Sequence, residues 1–218
     1  MKYRRLGKTN LKVSVVGIGT WQYGGEWGKN FDEGEVKKIL DRGFDLGFNF
    51  IDTAECYGDH LSERLIGKAV KEKRKEWIIA TKFGHKFISH LNRETVWDVA
   101  GVKKQLEDSL RALQTDYIDL YQFHSGNDEV FNNEELWSML QNEVKAGKIR
   151  HLGISISNKE GINSLEQTKS ASKVGAEVIE AVYNRLEKYP EEEIFPACIE
   201  QDLGVLARVP LASGLWGG

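Results

Sequence analysis

FNFIDTAECYGDHLSERLIGKAVKEKRKEWIIATK, residues 48–82, holds the unit from which the fold is read. It opens with a strand-like run, Phe48 to Asp52, and crosses a loop into a helical stretch, Leu61 to Lys73. It then returns to a second run, Trp77 to Lys82. Trp77-Ile78-Ile79-Ala80 is apolar throughout rather than alternating, the pattern of a strand covered on both faces. Two such strands joined by a helix pair in parallel through a right-handed crossover.

The same beat runs outward in both directions. Upstream, a small hairpin around Leu6-Gly7-Lys8-Thr9-Asn10 precedes a first strand, Val13 to Thr20. Asp32 to Leu46 reads as a helix, with Val36, Ile39, Leu40 and Phe44 at helical spacing and Asp32 as its cap. Downstream, Thr95 to Leu113 is helical, Tyr117 to His124 a strand and Asn133 to Ala146 a helix. Strands at Arg150–Ser155, Val178–Tyr183 and Gly204–Ala207 follow, separated by helices at Lys159–Lys173 and Glu191–Asp202.

Seven strands in this rhythm predict an α/β chain of the (β/α)8 TIM-barrel class. A doubly wound dinucleotide fold carries a glycine fingerprint after its first strand. Here Gly17-Ile18-Gly19-Thr20-Trp21 lacks the third glycine and leads into a loop. The expectation is one barrel domain over residues 1–218, C-terminally incomplete. An eighth strand and its helices have no room before Gly218, at about thirty residues per unit.

Bulk properties exclude several classes of function. The net charge of −3 gives no basic excess for a nucleic-acid surface. No apolar run reaches the roughly 20 residues of a membrane span, and no apolar segment follows the basic N-terminus as in a signal peptide. Cys56 and Cys198 have no metal or redox spacing, which predicts free thiols and a cytoplasmic location. The five histidines show no ligand spacing, so no metal is expected.

In barrels the chemistry sits at the C-terminal ends of the strands. Those ends read Asp52, Lys82, His124 and Ser155. Neighbouring strands lie about 4.8 Å apart, so Asp52 and Lys82 are placed to form an ion pair with His124 one strand further on. Tyr57, on the loop, can fold back over them. A tyrosine is a weak acid whose pKa a nearby lysine cation lowers. That suits protonation of a carbonyl oxygen, with His124 orienting it and a cofactor supplying hydride. An isolated Asp–Lys pair at a strand end is more often structural than catalytic; four such residues on consecutive ends favour a site.

These residues resemble a known family. Asp52-Thr53-Ala54-Glu55-Cys56-Tyr57-Gly58 is similar to the signature of the aldo-keto reductases, and Gly19-Thr20-Trp21, Ala80-Thr81-Lys82 and Gln122-Phe123-His124 match its adjoining strands. The resemblance implies a barrel that binds NADP(H), or NAD(H), in extended form. It implies Tyr57 as proton donor, with Asp52, Lys82 and His124 completing a tetrad. It also implies cofactor contacts from Gly19, Thr20, Trp21, Asp52 and Ser155, and from Leu211, Ser213 and Gly214 at the start of a pyrophosphate loop.

The nicotinamide clamp departs from the family pattern. Ile156 replaces an asparagine, with Ser157-Asn158 close behind, and Glu180 replaces a glutamine. Arg208 stands where many members stack a tyrosine, and its guanidinium is expected to stack in that place. Trp21 and Trp27 are expected as substrate-pocket walls beside Tyr57 and His124. The charge run Lys71 to Glu76 reads as a solvated helix end. The function implied is reduction of aldehydes or ketones to alcohols by an NADP(H)-dependent oxidoreductase acting on a small carbonyl substrate. The competing reading is a non-catalytic regulatory subunit that binds cofactor on the same barrel. Neither the physiological substrate nor the oligomeric state is legible.

Overall fold

The computed structural model describes residues 1–26 and 28–215. β1 (Tyr3–Arg5) and β2 (Lys12–Ser14) form an antiparallel hairpin closed by a 3-10 turn at Gly7–Thr9. The chain continues through β3 (Ile18–Gly19), α1 (Glu33–Asp45), β4 (Phe50–Asp52), α2 (Leu61–Val70) and β5 (Ile78–Phe83). A second antiparallel hairpin, β6 (His85–Ser89) and β7 (Asn92–Thr95), leads into α3 (Val99–Leu113) and β8 (Ile118–His124). Then come α4 (Asp128–Phe131), α5 (Glu134–Lys145), β9 (Ile149–Ser155), α6 (Ser164–Lys169), β10 (Ala176–Val182), α7 (Ile194–Glu200) and β11 (Gly204–Arg208).

Seven strands form one parallel sheet in the order β3-β4-β5-β8-β9-β10-β11. A contact across its inner face shows that it is curled. Asp52 on β4 and Glu180 on β10 are four strand spacings apart, roughly 19 Å in a flat sheet. Yet Lys82 Nζ lies 2.6 Å from Asp52 and 3.5 Å from Glu180. This is the wall of a (β/α) barrel, as the alternation of elements predicts.

Strand periodicity layers the interior. Phe50, Ala80, Leu120 and Val178 form an apolar cluster with Leu6 and Val13 of the first hairpin, which packs against them from below. Two residues further along each strand, on the same face, stand Asp52, Lys82, Gln122 and Glu180. The side chains at alternate positions, among them Ile51, Ile79, Tyr121 and Ile179, face outward into the larger core beneath the helices. α1 and α3 are begun by side-chain caps: Asp32 accepts from Glu35 N–H at 2.8 Å and Asp98 from Gly101 N–H at 2.8 Å. Gly67 lets α2 and α3 touch, since a Cβ there would lie 2.6 Å from the Leu113 backbone.

Several boundaries differ from those expected. The single first strand is two: Val13 and Ser14 belong to the hairpin, while Ile18 and Gly19 join the sheet. Between them Ser14 turns the chain, donating to Val16 O at 2.8 Å. The helix expected from Lys159 to Lys173 shrinks to α6, because Gly161 adopts φ +77° and Asn163 caps afresh. The helix expected from Thr95 begins at Val99, and Thr95 ends β7. The β6–β7 hairpin is unforeseen because its strands are largely exposed and carry no clean alternation.

The charge run is not wholly solvated either. Arg74 donates to Thr115 Oγ1, to the carbonyls of Trp77 and Tyr117, and to the buried Asp119 at 2.8 Å. It buttresses the outside of β5 and β8. Among the described residues no helix is long and apolar enough to cross a membrane.

Candidate active site

β4, β8 and β9 end at Asp52, His124 and Ser155, and β5 presents Lys82 one residue before its end. Lys82 is the centre of the arrangement. Its Nζ donates to Asp52 Oδ1 and Oδ2 at 2.6 and 2.7 Å and to Thr53 O at 2.9 Å. Glu180 Oε2 lies 3.5 Å away on the far side. The ammonium, 1% exposed, therefore stands between two carboxylates rather than beside one. Burial works against its charge, but Asp52 and Glu180 outweigh burial and hold Lys82 above the usual lysine range. Asp52 is pushed up to about 7, by burial first and the Glu180 charge second, with Lys82 opposing both.

Tyr57 folds back as expected, its ring centroid 5.7 Å from Lys82 Nζ. Its loop is seated by Gly58, which takes φ +66° and would place a Cβ 2.4 Å from Gly24 O. The electrostatic expectation for this residue is corrected. Burial, the largest influence, pushes the Tyr57 phenol above its ordinary value, and the Lys82 cation only moderates that rise. The phenol is thus firmly protonated at neutral pH. His124 moves the other way: burial first, then His85 and Lys82, hold its pKa well below the ordinary value, so its imidazole is neutral.

The second ring of residues contains unused hydrogen-bonding capacity. Gln122 Oε1, His124 Nδ1, Ser155 Oγ and Arg208 Nε are buried and make no hydrogen bond among the described residues. They lie on β8, β9 and β11, around Glu180 on β10. Arg208 is 3.7 Å from Glu180 and donates through Nη2 to Ile156 O at 3.2 Å, which fixes its guanidinium beside the clamp position. Ile156 itself is fully buried. Asn158 lines a cleft of about 450 Å3 with Asp128, Asn163, Ser164 and Tyr189, none of them a tetrad residue.

Other expected residues take distinct places. Thr20 is buried and turned to the strand end, donating through Oγ1 to Asp52 O at 2.9 Å. Gly19 pairs in register with Asp52, and a side chain there would meet open space. Trp21 is 39% exposed, with its ring centroid 6.4 Å from that of Tyr57. Trp27 lies outside the described residues. Leu211, Ser213 and Gly214 are exposed on the turn after β11, Ser213 and Gly214 with positive φ.

Two residues near the chemistry escape the sequence reading. Gln122 donates to Glu180 at 3.0 Å and approaches Asp52 at 3.4 Å. Its signal is a polar residue two before His124, on the same face of the strand. His85 stacks edge-on against His124, ring centroids 4.7 Å apart. Only its position just past the end of β5 marks it.

This geometry has relatives. The sequence profile of the Aldo/keto reductase family matches residues 15–218. The chain is 34% identical over 226 residues to the aldo-keto reductase YhdN of Bacillus subtilis strain 168, a match spanning 100% of this chain and 64% of that protein. Among solved structures, the holo form of an aldo-keto reductase from Bacillus halodurans superposes with a TM-score of 0.86 at 35% identity. That match spans 99% of this chain and 68% of the other. An aldo-keto reductase from Klebsiella pneumoniae in complex with NADPH superposes with a TM-score of 0.78 at 27% identity, spanning 98% and 69%. The protein belongs to the aldo/keto reductase family. The chain spans 64% of the length of the Bacillus subtilis relative.

Proposed function

We propose that the protein reduces aldehydes or ketones to alcohols with NADPH or NADH. The observation that carries this reading is a buried lysine cation, held by Asp52, lying beneath a protonated Tyr57 with a neutral His124 nearby. Tyr57 donates its phenolic proton to the carbonyl oxygen as that oxygen gains negative charge. The Lys82 cation stabilises the phenolate left behind, and Asp52 fixes the cation in place. His124, uncharged, orients the carbonyl oxygen without competing for the proton. The nicotinamide, when bound, supplies the hydride.

The unsatisfied atoms support a carboxamide beside these groups. A carboxamide needs donors for its oxygen and acceptors for its NH2. Ser155 Oγ and Arg208 Nε are free to donate; Gln122 Oε1 and the Glu180 carboxylate can accept. In this reading Glu180 and Arg208 together stand in for the neutral pair typical of relatives. Gly19, Trp21, Leu211, Ser213 and Gly214 are assigned to the remainder of the cofactor. The NADPH-bound Klebsiella pneumoniae relative supports NADP(H) as the preferred form. Two free, buried cysteines accord with the reducing cytoplasm, where we place the protein.

Oxidation of NADPH with 4-nitrobenzaldehyde tests the proposal directly. Tyr57→Phe should lower turnover by about 10²–10⁴-fold, the contribution of a positioned acid, and leave cofactor binding intact. Full activity in that variant would refute the mechanism.

A further inference from the structure

The β6–β7 hairpin supplies no group to the proton transfer proposed above, yet both its ends reach the site. At its base His85 packs on His124. Near its tip, Leu91 N–H donates to Glu26 Oε1 at 2.9 Å, and Arg93 pairs with Glu26 Oε2. The same Oε2 accepts from Trp21 Nε1 at 3.3 Å, and the Trp21 ring neighbours Tyr57. Arg93 also lies over the Phe87 ring at 4.8 Å and interacts with Cys56, the residue before Tyr57.

Glu26 is thus a carboxylate with 7% of its surface exposed, satisfied by three donors from two segments distant in sequence. Burying such a group costs free energy unless it is paired. Here the pair joins the loop after β3 to the hairpin after β5, across the strand end that carries Asp52 and the Tyr57 loop. The large apolar side chains tied to this junction stay open to solvent: Trp21 at 39%, Ile88 at 42% and Leu91 at 65%. Exposed apolar groups held at fixed positions beside a reacting tyrosine are suited to contact the body of a substrate.

We infer that Glu26 and Arg93 form a latch that positions Trp21 and the hairpin as the specificity wall of the site, selecting carbonyl compounds with a bulky apolar body. The inference rests on the carbonyl-reductase reading for its substrate class. Glu26 and Arg93 are positioning residues; neither is assigned a contact with the reacting atoms.

Arg93→Met keeps the side-chain length and removes the pair. It should raise KM for 4-nitrobenzaldehyde roughly tenfold or more, the scale on which apolar pocket contacts discriminate substrates. kcat for that substrate, and both constants for propanal, should stay within about twofold. Arg93→Lys, which retains the ion pair, should restore the KM. A uniform fall in kcat for both aldehydes, or no change, would overturn the inference.

Two readouts need no turnover. Hydrogen exchange over residues 85–95 should quicken in Arg93→Met, and benzamide, an unreactive aromatic carbonyl compound, should bind it more weakly than wild type by ligand-observed NMR. Unchanged exchange or equal benzamide binding would sink the latch. If both behave as expected while wild type reduces no carbonyl, the latch stands and the reductase reading falls.

Discussion

Gln122 on β8 reaches Glu180 on β10 with a 3.0 Å hydrogen bond that passes over Gly153 on the strand between them. A Cβ at position 153 would lie 3.1 Å from Gln122 Cγ and from Leu120 Cδ1, and 3.3 Å from Val178 O. The missing side chain is what lets a polar layer form across three strands. Through it Glu180 comes within reach of Lys82, which acquires a second carboxylate neighbour.

Gly153→Ala should therefore act on both stability and chemistry. Its methyl group overpacks the interior, at a cost of about 1–3 kcal/mol, and swings Gln122 away from Glu180. Thermal unfolding should shift down, and turnover should fall with it. In a Gln122→Ala background the same substitution should cost clearly less, because the clashing γ-methylene is gone and no atom takes its place. Equal costs in the two backgrounds would show that Gln122 is not the residue being displaced.

Glu180→Gln separates the two carboxylates electrically while preserving an acceptor. Asp52 is raised to about 7 partly by the Glu180 charge, so removing that charge lowers the Asp52 pKa. Asp52 then stays anionic, and keeps hold of Lys82, to lower pH. The acidic limb of the kcat/KM profile should move toward lower pH in the variant, and cofactor affinity should change by less than about tenfold. A limb that stays in place, or moves upward, would show that Glu180 does not govern Asp52.

The contrast between these residues shows how far sequence carries. Asp52, Lys82 and His124 were legible because a charged or polar residue ending an apolar strand has few places to go, and Tyr57 because of its place in the loop signature. The seven strands were legible for the same reason: runs such as Ile118 to Phe123 are buried on both faces. The role of Gly153 was not legible, since it depends on which neighbours face inward at one level of a curled sheet. Nor was the Glu26–Arg93 junction, formed by residues 67 positions apart on segments with no periodic pattern. Tyr57 shows a subtler limit. Its partner was foreseen, but the balance between that partner and burial is set by packing, and burial wins.

Glu55 offers a test of that same balance away from the reacting atoms. It lies two residues before Tyr57 and is 4% exposed, accepting from Gln105 Nε2 at 2.6 Å. Gln105 in turn accepts from Gly84 N–H at 3.1 Å, so the carboxyl group ties the Tyr57 loop to the turn after β5. Burial, and then the neighbouring Glu63, push Glu55 up to about 9 from its ordinary 4.5. The folded protein therefore holds this proton more tightly than the unfolded chain does. The stability that follows is fully present below about pH 4.5 and is lost progressively as pH rises toward 9. Glu55→Gln keeps the shape and the amide contact but cannot ionise. Measured against wild type, its melting temperature should gain with every step from pH 5 to pH 9, by up to a few °C per pH unit, since each unit over which only the unfolded chain has lost the proton is worth up to about 1.4 kcal/mol. A difference that stays flat across that range would mean Glu55 is already ionised in the fold, and a difference that shrinks would reverse the sign of the argument.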